Sequence, residues 1–234
     1  MNDVLFLTYG AYGNNTKILD FRKRNAKKFG IDLYILGEGT EWQGLYGTKT
    51  LAFYNKLLEF RGIYKYCIAV DARDTAFIDT KDNILEQFHK IYDGRVIFCT
   101  DHYRPKWHFT ADWFLDMVEQ HYTGWGFANT GLIAGEIEKI LKIYEHLLGI
   151  YHTLKHTRLR IDFEKRNINI PQMNTLTKLE SIVDRIVKED EFRPGKHIHN
   201  ANQFLLYILQ TQGYVELIKP DIERELFAKM YNKN

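Results

Sequence analysis

The chain has 234 residues, of which 45% are hydrophobic and 15% aromatic, so it can form one large domain with a substantial core. Its formal net charge of +2 argues against a protein that coats a polyanion, although a local basic patch stays possible. No apolar run is long enough to span a membrane, and we expect no signal peptide. Cys67 and Cys99 lie inside apolar runs, which favours buried thiols and a reducing, cytoplasmic setting.

The first part of the chain alternates between predicted strands and helices. Residues 3–8 and 32–36 are predicted strands. Between them lies an amphipathic helix, for which Asn15 or Thr16 is the candidate cap and Gly30 the stop. This strand–helix–strand order favours an α/β sheet of the nucleotide-binding type.

A glycine-rich loop at residues 38–47 leads into a second helix. Its Trp42 could stack on the flat ring of a ligand or pack on the protein's own edge. Thr48 is predicted to cap the helix, which puts Lys49 in the first turn, where a positive charge suits a phosphate. An ordinary solvated lysine is the alternative. The residues expected along one face of this helix are Leu51, Tyr54, Leu57, Leu58 and Arg61.

The most informative stretch is a buried strand that ends in two carboxylates. Residues 67–70 form an apolar run without alternation, as in a parallel sheet covered on both faces, and Asp71 and Asp74 follow it. Ligands of open α/β sheets bind beyond the carboxyl ends of the strands, and Mg²⁺ and Mn²⁺ prefer carboxylate oxygens. The pair is therefore a candidate metal site. A turn in which Asp71 caps its own backbone and Asp74 points to water is the alternative.

A second buried strand also ends in an acid. Residues 95–99 run directly towards Asp101, which predicts a carboxylate at the same edge of the sheet. Residues 129–135 are predicted as a strand with a polar head. The next segment has a regular helical stripe made by Ile137, Ile140, Leu141, Tyr144, Leu147 and Leu148.

The composition shifts over residues 151–196, which we interpret as a mostly helical insertion in a single domain that covers 1–234. Its basic run at 155–160 could contact an acidic acceptor or a nucleic acid, although a solvated face is the commoner outcome. His197 and His199 form a His-x-His pair that could bind a metal or simply lie in a loop.

The end of the sequence predicts a last strand at residues 214–218. A closing turn and helix are predicted at 220–230.

Several of these segments together resemble the glycosyltransferase domain of procollagen lysyl hydroxylases and its stand-alone bacterial and viral relatives. The family's central strand carries Val-Asp-x-x-Asp, which residues 70–74 match. The other similar segments, in chain order, are 42–49 with Trp and Gly-x-Lys, 98–107 with an acid and a later Pro and Trp, 128–135 with Asn-Thr-Gly, and 220–227. The resemblance implies a GT-A type fold, an α/β nucleotide-sugar sandwich whose mostly parallel central sheet is flanked by helices.

The resemblance also implies roles for individual residues. Asp71 and Asp74 would hold Mn²⁺, or Mg²⁺, against the diphosphate of a UDP-sugar, where a divalent ion neutralises the charge that develops on the leaving group. The other donor-binding residues implied are Thr8, Tyr9, Trp42, Lys49, Arg73 and Asn129. The catalytic residues implied are Asp101, Asn202 and Gln203, with Trp107 facing the sugar or the acceptor.

Two departures from the family pattern qualify this expectation. The family has Asp-Asp-Gln or Asn-Asp-Gln where this chain has Ala201-Asn202-Gln203, and an amide cannot act as a carboxylate base. No histidine follows Asp221 to complete the metal shell, for which His197 or His199 is a candidate replacement.

Three functions therefore stay open at this point. The first is metal-dependent transfer of a hexose from UDP-glucose or UDP-galactose to an unknown acceptor in a protein, a glycan or a nucleic acid. The second is a degenerate relative that acts as a binding or assembly module. The third and weakest is a glycosyltransferase that modifies nucleic acid through the basic insertion.

Overall fold

A six-stranded sheet lies at the centre of the fold. The computed structural model describes residues 3–13, 16–40, 46–73, 75–101, 127–153, 218–221, 226 and 230–232. The strands are β1 (Val4–Tyr9), β2 (Leu33–Leu36), β3 (Tyr66–Asp71), β4 (Thr75–Phe77), β5 (Val96–Asp101), β6 (Phe127–Glu136), β7 (Ile218–Pro220) and β8 (Met230–Asn232). The helices are α1 (Lys17–Lys28), α2 (Tyr46–Glu59), α3 (Lys81–Ile91) and α4 (Ile137–Thr153).

The strand order is β2-β1-β3-β6-β5-β7, and β4 pairs with β8 in a second, two-stranded sheet. β1 is parallel to β2 and β3, and β5 is parallel to β7. β6 is antiparallel to both of its neighbours, β3 and β5, so it is the one strand of the six-stranded sheet that runs in the opposite direction. The predicted α/β fold with a mostly parallel central sheet is confirmed.

Helices cover both faces of the sheet, which explains why the strands are continuous apolar runs rather than alternating ones. On one face, Phe6 and Ile68 join Ile84 and Phe88 of α3 in a single buried cluster. On the other face, α2 and α4 pack against each other. Cys67 and Cys99 are buried thiols, as the apolar runs around them predicted.

Thr16 and Gly30 bound α1 as the sequence predicted, and a threonine also caps α3. Gly30 has φ +71° just after α1, a conformation that costs glycine little, so it ends the helix as predicted. Thr80 caps α3, and its hydroxyl accepts a hydrogen bond from the backbone N–H of Asn83 at 3.4 Å. Thr16 occupies the corresponding position of α1 but makes no such bond with its side chain.

The predicted stripe of α4 is confirmed, since all six of its residues are at most 3% exposed.

The register of α2 differs from the prediction. The helix begins at Tyr46, so Thr48 lies in its first turn rather than at its cap. Of the predicted inner face, Tyr54 and Leu57 are buried, whereas Leu58 is 39% exposed and Phe53, which was not predicted, is buried. Among the residues of this helix whose burial the structure describes, the buried ones are Lys49, Thr50, Phe53, Tyr54 and Leu57.

The last described segment also differs from the prediction. Met230 was predicted in a closing helix but begins β8, which pairs antiparallel with β4. Backbone pairing with a distant strand is a long-range contact that the local apolar pattern does not contain. Ile218, predicted to end the last strand, is the first described residue of β7.

Of the insertion predicted for 151–196, only residues 151–153 are described, at the end of α4. The rest of it lies outside the described residues. None of the helices in the described parts of the chain is long and apolar enough to cross a membrane.

Candidate functional site

Four strands bring polar ends to one edge of the sheet, which we call the polar edge. Tyr9 and Asp71 are paired at the carboxyl ends of β1 and β3. Asp101 ends β5 and is paired with Phe127, the first residue of β6. Because β6 runs in the opposite direction, it contributes its amino end, including Asn129, to the same edge. The polar edge thus contains the backbones of both strand-end aspartates, on strands separated by β6.

Lys49 and Asp71 form an ion pair at the polar edge. The Lys49 ammonium donates to Oδ1 of Asp71 and lies 5.7 Å from the centroid of the Phe53 ring. The Lys49 side chain is only 8% exposed, whereas that of Asp71 is 33% exposed. Lys49 is therefore not an ordinary solvated lysine, and Oδ1 of Asp71 has a side-chain partner on α2.

The backbone of the turn after Asp71 is held by a buried arginine of α1. Arg22 is 0% exposed, and its Nη2 donates to the carbonyl oxygens of Asp71 at 2.7 Å and Ala72 at 2.9 Å. The same nitrogen donates to Oγ1 of Thr75 at 2.9 Å, and that hydroxyl donates to the Asp71 carbonyl at 2.5 Å. Asp71 is thus fixed from both faces of the sheet, through its side chain by α2 and through its carbonyl by α1.

Arg22 was missed in the sequence, although a signal for it was present. It lies three residues after Leu19 and four before Ala26, both of which are buried on the inner face of α1. A charged residue on an apolar stripe is expected to be buried and paired, because an unpaired buried charge is very costly. Its partners include several backbone carbonyls, which no sequence pattern marks.

Thr8 and Tyr9 have different environments at the end of β1. Thr8 is 0% exposed and donates its hydroxyl to the Val70 carbonyl at 2.6 Å, so its side chain links β1 to β3. The half-buried Tyr9 ring packs edge-on against Phe53 at 6.4 Å. Gly37 lies beside this ring, and a Cβ there would come within 3.0 Å of it. Tyr9 is therefore the residue of the pair whose side chain borders the polar edge.

Tyr144 of α4 lies beneath the ion pair, where its ring stacks on Phe53 at 6.3 Å. Burial raises the pKa of Tyr144 well above its ordinary value, and the negative charge of the Asp71 carboxylate acts in the same direction. The phenol therefore stays protonated. Tyr144 is thus a neutral group packed on Phe53, the ring next to the Lys49 ammonium.

The remaining predicted site residues are only partly described. Arg73 is exposed on the turn that follows Asp71. For Asp101 and Asn129 the structure describes the backbone alone. The predicted residues outside the described parts of the chain are Trp42, Asp74, Trp107, His197, His199, Asn202 and Gln203.

The chemistry of Asp71 suits a divalent cation. Its partly exposed carboxylate ends a strand, and Mg²⁺-type sites commonly use one or two carboxylates with water and substrate phosphates as the other ligands. In the described ranges, no three His, Cys, Asp or Glu residues form a ready-made metal cluster. The Asp71 carboxylate is therefore chemically able to contribute one ligand to a cation, and Lys49 is a competitor for it.

Comparison with known proteins identifies the family to which the chain belongs. The family model of the PLOD GT domain, the glycosyltransferase domain of procollagen lysyl hydroxylases, matches residues 2–178. The chain belongs to this family, as the sequence resemblance predicted. The match ends before Asn202 and Asp221, where the two departures from the family pattern occur.

A crystal structure of a glycosyltransferase involved in the glycosylation of the major capsid of PBCV-1 is similar to this chain. The two share 13% sequence identity with a TM-score of 0.42, and the alignment covers 80% of this chain and 90% of that one. No curated protein matches the chain significantly in sequence.

Proposed function

We propose that the protein is a metal-dependent glycosyltransferase that transfers a hexose from a nucleotide sugar to an acceptor hydroxyl. UDP-glucose and UDP-galactose are the proposed donors. Membership of the family supports the reaction class. The observation that carries the proposal is the Lys49–Asp71 pair, which places a carboxylate and a buried ammonium together at the polar edge.

In the proposed donor site, carboxylates bind the divalent cation and a lysine binds the phosphates. Asp71 with Asp74 would hold Mn²⁺ or Mg²⁺, which supplies charge neutralisation on the diphosphate. Lys49 would bind a phosphate oxygen as a mobile point charge. The residues proposed to border the nucleoside and the rest of the donor are Tyr9, Trp42, Arg73 and Asn129. Thr8 was expected to border the uridine, but its side chain is fully buried and supports the site through its bond to β3 instead.

The proposed reaction centre lies on the β5 and β6 side of the polar edge. The acceptor oxygen forms a bond to the anomeric carbon while the bond from that carbon to the diphosphate oxygen breaks, and the acceptor proton passes to a base. Asp101 is the proposed base or charge-stabilising group, because it ends β5 at this edge. Asn202 and Gln203 would orient the sugar by hydrogen bonds, with Trp107 against the sugar or the acceptor.

The backbone around Asp71 supports this assignment, since positioning is a large part of catalysis. Arg22 and Thr75 hold the carbonyl of Asp71, and Thr8 ties β1 to β3 one residue earlier. These contacts fix the strand ends on which the donor would lie. The buried thiols of Cys67 and Cys99 support a reducing compartment, and we include a cytoplasmic location in the proposal.

A second candidate function is a binding or assembly module that retains the donor site without turnover. Asn202 favours it, because an amide stands where the family has an acid. Measurement of UDP release with each sugar nucleotide separates the two candidates. Release above the rate of a heat-treated sample supports the enzyme, and donor binding without release supports the module.

Asp71→Asn tests the donor site directly. In the parent protein, UDP-glucose or UDP-galactose with Mn²⁺ is expected to raise the Tm, and Asp71→Asn is expected to abolish that shift because the amide is a far weaker ligand for a hard cation. Asp32→Asn is the matched control, since Asp32 is 86% exposed and precedes β2, away from the polar edge. A parent protein whose Tm responds to no sugar nucleotide in Mn²⁺ contradicts the proposal.

A further inference from the structure

The position of the Lys49 ammonium has a consequence for the order in which ligands bind. It occupies Oδ1 of Asp71, the carboxylate that also suits a divalent cation. The lysine side chain is 8% exposed and has little access to water, whereas the carboxylate is 33% exposed and open to an incoming ion. Water and ions therefore reach this ion pair at the Asp71 carboxylate rather than at the Lys49 ammonium.

A divalent cation on Asp71 and an ammonium at hydrogen-bond distance from the same carboxylate repel each other. In a partly buried site this repulsion is stronger than in water, because screening is weaker. The Lys49 side chain is only 8% exposed, so separation of its ammonium from Asp71 is costly unless another anion takes the place of the carboxylate. Binding of the cation to the protein alone is therefore opposed by Lys49.

A diphosphate removes this obstacle. Lys49 lies in the first turn of α2, where the helix dipole favours an anion, and its four-carbon chain allows the ammonium to turn from one anion to another. A phosphate oxygen can then replace Asp71 as its partner. The carboxylate is left open to the cation, which the same diphosphate also binds.

We propose that Lys49 is an exchangeable counter-ion, which neutralises Asp71 in the empty protein and transfers to the diphosphate when nucleotide and cation bind. The inference rests on the proposed donor site and adds a binding linkage to it. Nucleotide raises the affinity for the cation, and the cation raises the affinity for nucleotide by the same factor, as reciprocity requires.

Titration of Mn²⁺ by calorimetry, with and without UDP, tests the exchange without any measurement of turnover. For the parent protein, UDP is expected to raise the Mn²⁺ affinity by about tenfold or more, within the usual range of such couplings. Lys49→Met keeps an unbranched apolar chain and removes the charge. It is expected to bind Mn²⁺ about tenfold more tightly than the parent in the absence of UDP, with a smaller effect of UDP, because the competitor is gone.

The controls separate the exchange from the donor site itself. Lys56→Met makes the same change on α2 at a lysine that pairs with Glu59, and it is expected to leave both Mn²⁺ affinities unchanged. Lys49→Gln repeats the loss of charge with a polar side chain if the methionine variant does not fold. Unchanged or weaker Mn²⁺ binding by a folded Lys49 variant without UDP overturns the exchange alone. A parent protein that binds neither UDP nor Mn²⁺ overturns the donor site as well.

Discussion

Arg22 shows how one buried residue determines the shape of a site that it does not line. Its guanidinium donates to carbonyls on both sides of the turn after β3, so α1 defines the turn together with the turn's own Thr75. The ion pair of Asp71 depends on that shape, because the carboxylate can meet Lys49 only where the strand end is held.

Arg22→Met is expected to destabilise the fold by about 3 kcal/mol, because several buried carbonyl groups lose their donor at once. The same substitution at Arg24, an exposed residue of the same helix, is expected to cost about 0.5 kcal/mol or less. Urea denaturation of the two variants measures the difference. Equal midpoints would show that the bonds of Arg22 contribute nothing.

Gly37 tests whether the ring of Tyr9 needs its present position. Gly37 and Gly39 share φ +76°, so an alanine pays a similar conformational cost of about 1 kcal/mol at either site. A Cβ at Gly37 also comes within 3.0 Å of the Tyr9 ring, whereas nothing lies within 4 Å of a Cβ at Gly39. Gly37→Ala is therefore expected to cost about 1 kcal/mol more than Gly39→Ala.

The Gly37 variant also has a binding readout. Displacement of the Tyr9 ring is expected to weaken UDP binding in calorimetry, while Gly39→Ala binds UDP like the parent. Equal UDP affinity in the two variants would show that Tyr9 does not border the nucleoside.

The helix caps allow a matched comparison at the scale of elements. Thr80 accepts a hydrogen bond from the Asn83 amide at 3.4 Å, whereas the side chain of Thr16 makes no capping bond. Thr80→Ala is expected to lower the free energy of unfolding by about 1 kcal/mol, as lost caps typically do. Thr16→Ala is expected to lower it by a few tenths at most. Thermal unfolding followed by far-UV circular dichroism measures both, and a larger loss for Thr16 would contradict the assignment of caps.

The elements also show which parts of the fold a sequence can predict. The apolar runs of β1, β3 and β5 and the stripe of α4 are local patterns, and the structure confirms them. The direction of β6 and the existence of β8 depend on pairing between distant strands, which local patterns do not contain. The inner face of α2 was predicted only in part, because the buried Lys49 and Thr50 are polar, and apolar periodicity passes over them.

The candidate site also has a part that the sequence predicts and a part that it does not. The positions of Asp71 and Asp101 at one edge were predicted because each follows an apolar strand, and strands that run in the same direction end at the same edge of a sheet. The contact between Lys49 and Asp71 could not be found, since it joins residues 22 positions apart through the packing of α2 on the sheet. A sequence thus marks which groups are chemically able to form a site, while the packing of helices decides which of them meet.

At the scale of the whole molecule, the turn after Asp71 is braced by the far end of the chain. β4 begins at Thr75, whose hydroxyl bonds to Asp71 and whose backbone position is paired with Asn232 of β8. Phe77, at the other end of β4, is paired with Met230 and held at both backbone groups by Asn25. Residues more than 150 positions from Asp71 therefore help to define its surroundings.

Removal of residues 230–234 tests this brace. The truncated protein loses the β4–β8 pairing and is expected to have a Tm lower by about 3 to 6 °C, which corresponds to one or two kcal/mol in a domain of this size. It is also expected to bind Mn²⁺ and UDP more weakly, because Thr75 is no longer fixed by a paired strand. Removal of residues 233–234 alone keeps β8 and is expected to change neither property. If the longer truncation lowers the Tm without changing ligand affinity, Arg22 alone is sufficient to hold the turn, and the contribution of β8 is to stability only.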